Sequence, residues 1–168
     1  MRIASVVVVL VACFALHVGA QESELQKITG ETCNPFQSDH FVVDTFLEVA
    51  DNEVIAGKCE EAYALFFKTF SLADGATLWK DRMRAYGCKT RVAWAKYVDT
   101  RKMDDRNKEF TKRLAHTKTR GARPAGASCY EAVNDNRSSF EKGILHNTGH
   151  LMLHSVYKNE KSPVWLDE

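Results

Sequence analysis

No signature of a committed chemistry occurs in this chain of 168 residues. A glycine-rich phosphate loop, a Gly-x-Ser-x-Gly elbow and an Asp-rich calcium loop are all missing, which removes the commonest nucleotide, acyl-transfer and calcium-binding readings. There is no Cys-x-x-Cys pair, so a zinc ribbon has no ligands. Proline is scarce (Pro35, Pro124, Pro163), no Gly/Ser tract divides the sequence and no repeat recurs. Such a chain fits one domain with a real core.

Long apolar runs are also absent, with one exception. Residues 1–20 read MRIASVVVVLVACFALHVGA: one Arg, an apolar run, then small residues. That pattern is a secretory signal peptide, too short and wrongly flanked to span a membrane. Cleavage is expected after Ala20, leaving residues 21–168 as a single secreted, extracellular domain. Cys13 leaves with the leader. Cys33, Cys59, Cys88 and Cys129 remain, an even number in an oxidising compartment, which argues for two disulfides. In an up-down bundle Cys59 would start one helix and Cys88 end the next. The preferred pairing is therefore Cys59–Cys88 with Cys33–Cys129, and a crossed pairing stays open. With its cysteines so occupied, the chain has no thiol for catalysis.

Charge is balanced overall but divided along the sequence. Residues 21–61 hold ten acids against two bases, and residues 80–123 hold fifteen bases against five acids. Either these segments pair and cancel, or the basic stretch forms a face that steers an acidic partner. The second reading selects Arg101, Lys102, Arg106, Lys108, Lys112 and Arg113, with Arg120 and Arg123 in the following loop.

The periodicity is helical throughout. Phe41, Val42, Thr45, Phe46 and Val49 recur at 3–4 spacing after Ser38 or Asp39, with Gly57 as the stop. A second run follows from Cys59, with a turn at 73–75. A third runs to Cys88 with Leu78, Trp79, Met83 and Tyr86. From 90 to 118 the pattern stays helical, with a break expected between Val98 and Phe110. Residues 21–37 and 119–127 read as irregular. Ser128 and Glu131 match a capping box that opens a last helix as far as Tyr157. The expected fold is all-α: about five helices in a compact bundle with two disulfides.

On that last helix His146, His150 and His154 are spaced by four and share one stripe. A catalytic zinc helix would carry Glu after the first His. Here that position is Asn147. A metal site, a pH-sensitive interface and a plain boundary stripe beside the apolar face are the three readings, and the last is preferred. No metal, cofactor or catalytic residue is expected. Asn136 lies in a glycosylation sequon. The aromatics Phe41, Phe46, Phe66, Phe67, Phe70, Trp79, Trp94 and Tyr97 either fill the core or line a pocket between helices.

The leader, the four-cysteine framework, the helical reading and the basic middle resemble the helical salivary proteins of blood-feeding mosquitoes. The nearest are the albicin/anophensin complement inhibitors and the helical domain of aegyptin-type proteins. That resemblance implies a non-enzymatic, monomeric secreted inhibitor of a host plasma protein or acidic surface. The target would be the alternative complement pathway or coagulation, engaged by surface contact, with neither nucleic acid nor membrane as partner. The alternative is a carrier of a small hydrophobic or amine ligand, similar to odorant-binding or D7-type proteins. That family usually has six Cys and a Cys-x-x-x-Cys pair, which is absent here.

Overall fold

The computed structural model describes residues 22–73, 75–119, 123–131 and 137–157. The chain is not all-α. It is a mixed α/β protein built on a five-stranded sheet of order β1-β2-β3-β5-β4. The elements are α1 (Glu24–Thr29), β1 (Phe36–Gln37), β2 (Phe41–Thr45), α2 (Val49–Thr69), β3 (Met83–Cys88), α3 (Arg91–Asp99), α4 (Asp105–Arg113), β4 (His116–Thr119), β5 (Ala125–Cys129) and α5 (Arg137–Val156). The central strands β2, β3 and β5 run parallel, and the outer strands β1 and β4 are antiparallel to their neighbours.

Helices cover both faces of the sheet. On one, α2 and α5 pack over Phe41, Val43, Met83 and Ala85. On the other, Leu25 of α1 and Ala93, Trp94, Tyr97 and Val98 of α3 pack over Tyr86, Cys88, Ala125 and Ala127. A parallel strand covered on both sides needs apolar or small residues at nearly every position. Phe41 and Val43 face α2, while Asp44 turns to the far side and accepts from the Leu25 N–H at 3.2 Å. The 3–4 spacing of Phe41, Val42 and Thr45 is therefore a doubly buried strand and not a helix.

Several expected boundaries move for identifiable reasons. Gly57 does not stop a helix. A side chain there would meet no atom within 4 Å, and α2 runs through it. The expected third helix is strand β3 from Met83. Ser128 is not a helix cap but a buried residue of β5, and the last helix starts at Arg137. The segment 21–37, expected to be irregular, contains α1, capped by Ser23 and closed by Gly30 at φ +78°. Other signals land. The charged gap contains the expected break between α3 and α4, and the helical stretch expected from 90 begins at Arg91, where the structure adds a Thr90 cap through the Ala93 N–H. Gly75 sits at φ +77° in the turn after α2.

The disulfide framework is overturned. All four cysteines are buried free thiols. Cys59 of α2 lies in the core under α2 and α5, and Cys88 lies in the core on the opposite side of the sheet, so the sheet itself separates the preferred pair. Cys33 and Cys129 share the second core and remain thiols. Burial pushes Cys33 and Cys59 up to about 12 and Cys129 up to about 11, so each is protonated at neutral pH. The leader 1–20, Arg120 and Asn136 lie outside the described residues. No helix among the described residues is long and apolar enough to cross a membrane.

Candidate functional site

In open sheets with parallel strands, ligands favour the crevice at the carboxyl ends, where neighbouring strands send their connections to opposite faces. Here β3 leads to α3 on one face and β5 leads to α5 on the other. A cavity of about 220 Å³ lies at that place, lined by Arg91, His116, Ser128, Glu131, Ser139 and Gly143, among others. Small residues allow the close packing beside it. A Cβ on Gly126 would stand 2.9 Å from Asn147 Cβ, and one on Gly143 would stand 3.1 Å from Ser128 Oγ.

The polar groups of this crevice are largely spent on the fold. Arg91 Nε donates to Glu131 Oε1. Its Nη1 donates to the carbonyls of Lys112 (3.3 Å), Arg113 (3.4 Å) and Leu114 (2.8 Å), which satisfies the open end of α4. The Cys129 N–H donates to the Ala115 carbonyl, so His116 and Ser128 form the adjacent close pair, with side chains toward α5. Burial, then the neighbouring His146 and Lys118, hold His116 below the usual imidazole range, and it is neutral at pH 7. The crevice is thus a small notch with a mostly apolar lining, whose strongest cation already faces a carboxylate.

The basic residues selected from the sequence do not form one patch. Arg123 pairs with Asp81 at 3.4 Å, beside the amino-terminal end of β5. Arg101 sits over the Tyr97 ring at 5.7 Å. Lys108 donates to the Asp99 carbonyl (3.1 Å), and Lys112 bridges Asp99 (3.0 Å) and Glu109 (2.9 Å). Lys102 is exposed at the end of α3. That leaves Arg106 and Arg113 exposed on α4. Positions 106, 110 and 113 fall on one helical stripe, and between the two arginines Phe110 is 62% exposed.

Phe110 is an apolar mark in a charged stretch, and its surroundings leave it exposed. DRNKEFTKR offers it no apolar neighbour three or four residues away inside the helix, which leaves nothing to bury it against. Arg91 and His116 carried no motif, and Glu131 only that of a capping box; the folded chain brings the three together. The aromatics Phe41, Phe66, Trp79 and Tyr63 form core contacts, with Phe41 edge-on to Tyr63 (6.1 Å) and Trp79 (6.0 Å). His146, His150 and His154 lie on α5, as their spacing requires. No family model, curated protein or solved structure matches this chain.

Proposed function

We propose that the chain is an exported, non-enzymatic binding protein that meets an acidic protein surface through the outer face of α4. The observation that carries this reading is the exposed ring of Phe110 between Arg106 and Arg113. Aromatic and arginine side chains dominate the energetic centres of protein interfaces, and here three such positions share one stripe. Export rests on the leader-like residues 1–20.

The partner is defined by charge. Inhibition of complement or coagulation was implied by an all-helical, disulfide-linked chain, and the fold removes both premises. A carrier of a small hydrophobic ligand is favoured less. Carrier cavities typically enclose ~300–1,000 Å³ of mainly apolar space, and the crevice measures about 220 Å³ with a salt bridge inside it.

The test compares wild type, Phe110→Ala and the double variant Arg106→Glu/Arg113→Glu as baits against host plasma or the organism's own secreted fluid. Loss of the aromatic anchor weakens capture by roughly 30-fold, the equivalent of a ~2 kcal/mol hot spot. The charge reversal slows association and removes its salt dependence. Equal capture of the same partner by all three proteins contradicts the reading.

A further inference from the structure

On α5, two imidazole nitrogens converge. His150 Nε2 lies 2.9 Å from His146 Nε2, with the rings 76° apart. On the other side of the His150 ring, Lys118 Nζ lies 3.1 Å from Nδ1. An ammonium only donates, so His150 Nδ1 accepts and its single ring proton sits on Nε2. That proton points at His146 Nε2, whose own proton then sits on Nδ1. One proton is thus shared between two lone pairs aimed at each other.

We propose that His146 and His150 form a chelating site for a late first-row divalent ion of the Cu²⁺, Ni²⁺ and Zn²⁺ class, which takes the place of this shared proton. The spacing is suited to it. Two nitrogens each about 2.0–2.1 Å from a metal and at right angles to one another, as in tetragonal Cu²⁺ or Ni²⁺ sites, stand about 2.9 Å apart. Imidazole suits these ions, and among them Cu²⁺ binds most tightly. His146 is exposed, so an ion reaches the pair from solvent. Among the described residues no group of three or more His, Cys, Asp or Glu is placed to hold a metal, so the described part of the site is this histidine pair. His154 stacks beyond His150 at 6.5 Å and stays outside the chelate.

Lys118 makes the proposal specific. When Nε2 of His150 binds a metal, its proton moves to Nδ1, which then no longer accepts from Lys118, and the ammonium faces a new positive charge. Lys118 therefore opposes the ion, and removing it strengthens binding.

The experiment titrates tag-free full-length chain with Zn²⁺, Ni²⁺ and Cu²⁺ by calorimetry, beside His146→Ala and Lys118→Ala. The expected result is one equivalent bound, Cu²⁺ tighter than Zn²⁺. His146→Ala lowers affinity at least ~10-fold, and Lys118→Ala raises it. His146→Ala removes only an exposed side chain, and circular dichroism verifies its fold. Affinity unchanged in His146→Ala, weakened in Lys118→Ala, or absent in wild type overturns the site. None of these outcomes bears on partner capture through α4.

Discussion

Gly87 shows how tightly single residues set the stack of helix on sheet. A Cβ there would stand 2.8 Å from Thr45 Cγ2 and press into the Phe140 ring. Gly87→Ala is therefore expected to destabilise by ~1–3 kcal/mol through overpacking, read as a lower urea midpoint. Glu60 is the opposite case, a side chain that ties elements together. It accepts from Ser38 Oγ (2.6 Å) and the His40 N–H (2.8 Å), and its second oxygen meets His40 Nδ1 at 2.7 Å. Burial pushes its carboxyl up, but the Ser38 and His40 hydrogen bonds outweigh burial and hold it below the usual range. The folded state thus prefers the carboxylate. Its contribution is present above the ordinary glutamate range and is lost as pH falls through the lowered value. Glu60→Gln should lower stability by about 1 kcal/mol at pH 7, water access keeping the effect small. Thermal melts of the two proteins should converge at strongly acidic pH, and a difference that persists there would contradict this account.

Among the elements, α4 depends on a residue far from it in sequence. Arg91 caps its last carbonyls. Arg91→Ala is expected to speed amide exchange across 105–113 well beyond its effect on α2. Some of this organisation was legible. The break within the charged segment and the turn at Gly75 follow from local chemistry that any fold must obey. The strands were not legible. β2 and β3 are covered on both sides and show no period of two. β5 reads AGASC because Asn147 and the helix backbone near Gly143 press on it; small residues chosen for a neighbour look like a loop when the neighbour is unknown. Of the candidate site, the sequence offered Arg106 and Arg113 but hid Phe110, whose meaning depends on having nothing to pack against.

For the whole molecule, cysteine parity suggested a stapled bundle, and topology decides against it. Export favours disulfides as a class, yet Cys59 is alone in its core with a sheet between it and Cys88. Unreduced protein lacking residues 1–20 should therefore release four titratable thiols on denaturation and almost none while folded. A mobility shift on reduction would contradict that. Among the described residues α4 packs mainly against α3 and keeps Phe110 exposed, which places the Phe110 stripe where a partner meets it.

Hydrogen exchange on the complex formed with a captured partner measures that placement most directly. The account predicts new protection concentrated in 105–113 and its contact with α3, while α2 and the crevice beside Ser139 exchange as in the free chain. Protection centred on the crevice or α2, with 105–113 unchanged, would contradict it.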